Sequence, residues 1–136
     1  MRLENKNVVI TGAAQGMGGT ITRELAKQGA NLFLLARTEG PIEELAKELN
    51  DAGTKTGFCA CDVTDDALVK SAMEKASAFF DGRIDVLVNA AGATGPIETP
   101  VWDITGSDFE DLLRKNIIGS FLPMKYVIPT MIGAKY

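Results

Sequence analysis

Strand-like and helix-like stretches alternate along this 136-residue chain, which predicts an α/β protein with a doubly wound parallel sheet. Three observations carry the expectation. Short apolar runs recur at Val8–Ile10, Asn31–Ala36 and Ile84–Val88. Stripes of apolar residues at helical spacing separate them. A glycine-rich turn, Thr11-Gly12-Ala13-Ala14-Gln15-Gly16-Met17-Gly18, joins the first strand to the first helix. No linker, repeat or low-complexity segment intervenes, so residues 1–136 read as a single domain. A chain of this length buries about two thirds of its unfolded surface on folding.

The first strand, Val8-Val9-Ile10, is wholly apolar, as burial on both faces requires. After the turn, Met17, Ile21 and Leu25 stand at i, i+4 and i+8 and predict one face of a helix. Asn31–Ala36 is the second strand. Pro41 suits the first turn of the next helix, whose Ile42, Leu45, Ala46 and Leu49 form a stripe and which Gly53 closes. Lys55–Cys61 reads as the third strand. Thr64 is a candidate cap for the third helix, with Asp65 and Asp66 favoured in its first turn. Leu68, Ala72, Ala76, Phe79 and Phe80 supply that helix's buried side, and Gly82 ends it. Ile84–Val88 is the fourth strand.

A loop containing Gly92, Gly95, Pro96 and Pro100 follows. Ser107 and Glu110 fit a capping box that opens a long helix towards Ile132. Pro123 and Pro129 are expected to kink or end it. Its apolar residues overrun a single stripe. Leu113, Ile117, Phe121, Met124 and Ile128 trace one side, whereas Ile118, Leu122 and Met131 fall elsewhere. Such a distribution implies burial on more than one side, against the sheet and against another chain.

Composition excludes several classes. The formal net charge is −4, so a nucleic acid or an anionic membrane finds no basic patch. Neither a secretory leader nor a membrane-spanning run is visible, and a soluble, cytoplasmic protein is expected. Cys59 and Cys61 lack the number and spacing of a zinc site and read as small buried residues in a reducing compartment. With no histidine in the chain, Ser-His-Asp and Cys-His schemes and the usual zinc or iron sites fall away. No metal site is expected.

The glycine turn has a positive reading. Gly12, Gly16 and Gly18 let the backbone bend sharply and let a bulky anion approach. The following helix then turns its unpaired N–H groups and positive dipole end towards that anion, an arrangement that suits a dinucleotide diphosphate. The spacing is G-x-x-x-G-x-G, and no Gly-Lys-Ser/Thr follows, which excludes a Walker loop. In nucleotide-binding sheets of this three-layer, Rossmann type the first four strands lie in the order 3-2-1-4. The crevice opens between strands 1 and 4.

Four motifs in this order resemble the amino-terminal half of the short-chain dehydrogenase/reductase family: Thr11-Gly12-x-x-x-Gly16-x-Gly18, Asp62-Val63, Asn89-Ala90-Ala91-Gly92, and Asn116 in the long helix. The resemblance spans essentially the whole chain. It implies a dinucleotide against Gly12, Gln15, Gly16, Met17 and Gly18, with the adenine amino group donating to Asp62 beside Val63. Asp62 also reads as a helix-start residue ahead of Thr64. Asn89, Ala90 and Gly92 are implied beside the cofactor, Asn89 bracing the central sheet; a common family form has a second Asn where this chain has Ala90. Asn116 resembles the helix asparagine of the proton relay and is the catalytic candidate, with a solvated surface Asn as the other reading. Near the end of strand 2, where NAD enzymes usually present an acid, this chain has Ala36-Arg37-Thr38-Glu39. Arg37 and Thr38 suit a 2′-phosphate, so NADP(H) is favoured over NAD(H); the other reading has Glu39 on the ribose.

Complete family members carry a Ser and a Tyr-x-x-x-Lys further on, the Tyr as acid–base. Here Tyr126 has Thr130 four residues later, where the motif has Lys, and Tyr136 is the last residue. These 136 residues are therefore expected to be a cofactor-binding half of an NADP(H)-dependent oxidoreductase for a carbonyl or alcohol, inactive alone. The alternative is a stand-alone nucleotide-binding or interaction module. An unpaired strand edge at Ile84–Val88 and the apolar long helix, residues 107–132, predict a homo-oligomer.

Overall fold

The computed structural model describes residues 2–134, so Tyr136 lies outside the described residues. In chain order the elements are β1 (Asn7–Thr11), α1 (Gly16–Lys27), β2 (Asn31–Ala36), α2 (Glu39–Asp51), β3 (Thr56–Ala60), α3 (Asp66–Phe79) and β4 (Val86–Asn89). A short 3-10 turn (Val101–Asp103), α4 (Gly106–Leu113), a π turn (Arg114–Ile118) and α5 (Gly119–Gly133) complete it. The four strands pair in parallel in the order β3-β2-β1-β4, as expected.

Apolar runs in β1 and β2 serve two cores at once. Side chains alternate across a strand, so a fully apolar run needs cover on both faces. Val8, Ile10, Leu32 and Leu34 join one cluster with Ile42, Leu45 and Leu49 of α2. Val9, Phe33 and Leu35 join the other with Val69, Ala72, Met73 and Ala76 of α3 and with Leu122 and Val127 of α5. Three layers result, with β1 buried from Val8 to Thr11 in the interior of the sheet.

Several local readings are corrected by packing. In α1 the buried positions are Gly18, Gly19 and Thr22, and Met17 is exposed. The helix seats its smallest residues on the sheet, with Ile21 and Leu25 flanking them against the core. In α3 the inward stripe is Val69, Ala72, Met73 and Ala76, so Leu68 faces out. Its cap is Asp65, which accepts from the Leu68 amide at 2.9 Å; the Thr64 hydroxyl is instead spent on Asp62. The capping box of the long helix falls at Thr105 and Asp108, not at Ser107 and Glu110. The Asp108 amide donates to Thr105 Oγ1 at 3.1 Å and the Thr105 amide returns to Asp108 at 3.3 Å.

The long helix passes both prolines without ending. Its π turn already offsets the hydrogen-bond register ahead of Pro123, because the Gly119 amide reaches back to the Arg114 carbonyl. Pro129 stands one turn from the end. Leu122 and Val127 point into the core, whereas Leu113, Ile117, Phe121, Met124 and Ile128 are exposed. No helix among the described residues is long and apolar enough to cross a membrane. Of the cysteines, Cys61 is buried and Cys59 half-buried, both as free thiols.

Asp66, at the start of α3, fastens the long helix. Lys125 Nζ donates to Oδ1 at 2.8 Å and the Tyr126 hydroxyl to Oδ2 at 2.6 Å. Those two bonds hold its carboxyl below the usual range, Lys125 foremost. A depressed carboxyl stabilises the fold above its unfolded pKa of about 3.9 and loses that contribution as pH falls through the folded value. Asp66→Asn should therefore flatten the acid limb of the melting profile below about pH 4, read by circular dichroism from pH 2 to 7. An unchanged acid limb would remove Asp66 from the account.

Candidate functional site

The carboxyl ends of the strands open into a cleft of about 460 Å³. Its base is the β1–α1 turn, where backbone packs on backbone. Gly12 has φ +65°, and a Cβ there would lie 2.7 Å from Ala91 Cα in the loop after β4. Gly18 is buried, and a Cβ on it would run into the Gly12 carbonyl oxygen. Gly16 has φ +53° with open space around it, so its need for glycine is conformational. Thr22 ties α1 to the turn from below, its hydroxyl reaching the Ala13 carbonyl at 3.3 Å as well as the Gly18 carbonyl of its own helix at 2.8 Å. Thr11 ties the turn to the far rim: its carbonyl accepts from the Ala90 amide at 3.3 Å and its hydroxyl from the Ala91 amide at 3.2 Å.

No side chain caps α1. Gln15 stands at the N-cap in an extended conformation without a cap hydrogen bond, and the first turn holds no acid. The first-turn amides and the dipole end are thus left for an anion from outside.

Around this base the structure gathers most of the residues singled out above. Gly12, Gln15, Arg37, Thr38, Asp62, Val63, Ala90 and Gly92 line the cleft. Gly16, Met17 and Gly18 lie in the turn and first helical turn but not on the lining. Asp62 Oδ1 accepts from the Thr64 amide at 2.9 Å and its hydroxyl at 2.8 Å. Those bonds, with the charges of Arg37 and Arg114, hold the Asp62 carboxyl below its ordinary range, so it is ionised at neutral pH. Val63 is backed by the long helix, since a Cβ on Gly119 would sit 2.8 Å from the valine side chain. Cys61 also lines the cleft, its thiol pushed up to about 11, chiefly by burial.

Asn89 and Asn116 stand behind the lining. Asn89 Nδ2 donates to the Ser120 carbonyl at 3.3 Å and so braces β4 on α5. Asn116 grips Ala93 twice: Oδ1 accepts from the Ala93 amide and Nδ2 donates to its carbonyl, each at 2.9 Å. Gly92 must be small for this, because a Cβ there would meet Asn116 Oδ1 at 2.8 Å. Tyr126 is directed elsewhere, to Asp66.

Sequence reasoning missed Asp111, Arg114 and Lys115, which form the helix-side wall of the cleft. Lys115 Nζ lies 2.5 Å from Asp111 Oδ2. Their i, i+4 spacing signalled a pair, but only the fold brings that pair to the strand ends.

The family model for short chain dehydrogenases matches residues 6–136. D-threitol dehydrogenase of Mycolicibacterium smegmatis is 37% identical over 134 residues, which are 98% of this chain and 50% of that protein. The oxidoreductase UcpA of Salmonella typhimurium is 39% identical over 134 residues, 98% of this chain and 49% of its own. The chain thus spans about half the length of the curated relatives it matches. The crystal structure of NAD+-bound xylitol dehydrogenase superposes with a TM-score of 0.93 at 29% identity, covering all of this chain and 52% of that one.

The turn makes a testable contrast. Gly18→Ala forces a methyl into a backbone oxygen, an overpacking cost of about 1–3 kcal/mol and a melting drop of roughly 3–12 °C. Gly16→Ala meets no atom and pays only the left-handed backbone, about 1–2 kcal/mol. Thermal melts in which Gly18→Ala matches wild type would contradict the close packing.

Proposed function

This chain belongs to the short-chain dehydrogenase family, and from that premise we propose that its cleft binds a nicotinamide dinucleotide, NADP(H) in preference to NAD(H). We read the 136 residues as the cofactor-binding half of an oxidoreductase acting between a carbonyl and an alcohol. When bound, the nicotinamide supplies or accepts the hydride. The single observation that carries the reading is an α1 N-terminus without a side-chain cap, set beneath a turn whose glycines keep the space free of side chains. Such a place fits a diphosphate.

In this reading each residue has a chemical task. The backbone from Gly12 through Gln15 and Gly16 to Gly18 receives the diphosphate, with Met17 over the first helical turn. Asp62, ionised and with one oxygen already held by Thr64, accepts from the adenine amino group, and Val63 packs the base. Asp62 also forms the turn before α3, so the two roles assigned from sequence are compatible. Asn89, Ala90 and Gly92 carry the far rim. Arg37 and Thr38, at the end of β2, meet the ribose 2′-phosphate. Asn116, the catalytic candidate of the sequence, we read instead as a positioning residue, because both ends of its amide are engaged in holding the loop at Ala93. No Tyr-x-x-x-Lys occurs within these residues, so we assign proton transfer to none of them and expect no turnover from the chain alone.

Self-association belongs to the same proposal. β4 is an outer strand of the sheet, and Phe121 and Ile128 lie exposed along the long helix. Contiguous apolar surface of this kind favours contact with a second copy.

Two measurements decide these points. Arg37→Asp should reverse cofactor preference, costing NADPH about ten- to a hundredfold in affinity, the worth of a charge-assisted contact of about 1.5–3 kcal/mol. Titration with NADPH, NADH and ADP-ribose reads it, and unchanged ratios would take Arg37 out of the site. In sedimentation at tens of micromolar, the wild type should run above monomer mass and Phe121→Lys/Ile128→Lys should shift towards monomer. A well-folded wild-type monomer would defeat the self-association proposal.

A further inference from the structure

We propose that Arg114 is a second guanidinium of the nucleotide site, closing the adenine end of the cleft from the helix side and holding the base against Asp62 and Val63. This rests on the dinucleotide reading above and adds a residue that the motifs do not contain.

Arg114 opens the π turn, and its Nη2 donates to the Thr64 carbonyl at 3.4 Å. The side chain therefore crosses from the long helix to the β3–α3 turn, the segment that presents Asp62 and Val63 to the cleft. Arg114 lines that same cleft. Asp62 feels both Arg37 and Arg114, so it stands within reach of one cation from the β2 end and another from the π turn. The contact to Thr64 is long and the side chain is exposed, so the guanidinium is not locked into a structural ion pair. A planar, weakly hydrated cation in that state gains most by lying on a flat aromatic ring.

The opposing surface cannot recede. Val63 is nearly buried, and Gly119 of the long helix stands directly behind it. Two residues beyond Arg114, Asn116 holds Ala93, so one π turn fixes one rim of the cleft and reaches across to the other. Adenine matches what lies between: flat faces for Val63 and a guanidinium, and an exocyclic amine for the Asp62 carboxylate. Among the ligand's anionic groups, the proposal gives the diphosphate to the α1 end and the 2′-phosphate to Arg37, which leaves the adenine ring to Arg114.

The test titrates wild type, Arg114→Ala and Arg114→Lys with NADPH, NADH, ADP-ribose and nicotinamide mononucleotide, and records apo melting. Arg114→Ala should weaken the three adenine-containing ligands by a common factor of about three to thirty, leaving the mononucleotide and the melting point unmoved. Lysine, lacking the plane, should restore part of the loss. Equal ADP-ribose affinity in wild type and Arg114→Ala overturns the proposal. So does a loss confined to NADPH, or one shared by the mononucleotide. Should the alanine variant fail to fold, lysine at full wild-type affinity overturns it as well. A wild type that binds no adenine ligand defeats the dinucleotide reading itself, a result distinguishable from a binding wild type indifferent to Arg114.

Discussion

Backbone lying directly on backbone is the constraint on which the rest of this molecule depends. Gly12 meets the β4 loop at Ala91, and Gly18 lies under the Gly12 carbonyl with no room for a methyl at either place. Because Gly18 is bare, α1 can start immediately beneath the turn and aim its uncapped end into the cleft. Because Gly12 is bare, the loop after β4 can close over Thr11, whose carbonyl and hydroxyl it uses in full. Parallel pairing of β4 with β1 brings that loop to hand, from Val8 opposite Val86 to Thr11 opposite Asn89. A side chain at either glycine would push apart the two elements that form the base.

The long helix converts this local arrangement into a cleft with a fourth wall. Its core-facing residues, Leu122 and Val127, anchor it on the α3 side of the sheet. The π turn ahead of them adds a residue to one turn and so rotates neighbouring side chains off the regular register, a device common at functional sites. Here it sends Arg114 to Thr64 and Asn116 to Ala93 from positions two apart. Gly119 then lets the helix settle on Val63. Packing, rim and wall are thus coupled through the six consecutive residues from Arg114 to Gly119.

Much of the architecture was legible because its signals are local. Apolar runs at Val8–Ile10 and Asn31–Ala36 mark two-faced strands, and the turn glycines mark a sharp bend, with close approach at Gly12 and Gly18 and a left-handed backbone at Gly16. Arg37 was singled out by its place at the end of strand 2, and Asp62 and Gly92 by motifs that resemble the family's; all three follow strand ends, and the fold brings them to one cleft. What escaped was set by rotation about helix axes. Met17 in place of Gly18 and Leu68 in place of Val69 are errors of one residue, about 100° of turn. They arose because larger apolar side chains outweighed the small ones that the sheet actually accommodates. The capping box was placed two residues late, at Ser107-x-x-Glu110, although Thr105-x-x-Asp108 has an equivalent pattern, and the path of the 3-10 turn chooses between them. Arg114 carries no local mark at all: its role depends on a π turn and on a loop fifty residues earlier.

Net charge and site charge point in opposite directions, and distance reconciles them. The chain is −4 overall, yet the cleft is ringed by Arg37, Arg114 and Lys115 above the positive end of α1. At physiological salt, charges beyond about 8 Å are largely screened, so a ligand inside the cleft feels its lining and not the acidic exterior. Of those cations Lys115 is already paired with Asp111, which leaves two guanidinium groups beside one ionised Asp62. An extended polyanion would have to lay many phosphates across the outer surface, where the acidic excess repels it. A dinucleotide in the cleft would meet each of these charges at contact distance, inside the screening length. The same charge balance that rejects the first therefore leaves the second its full attraction.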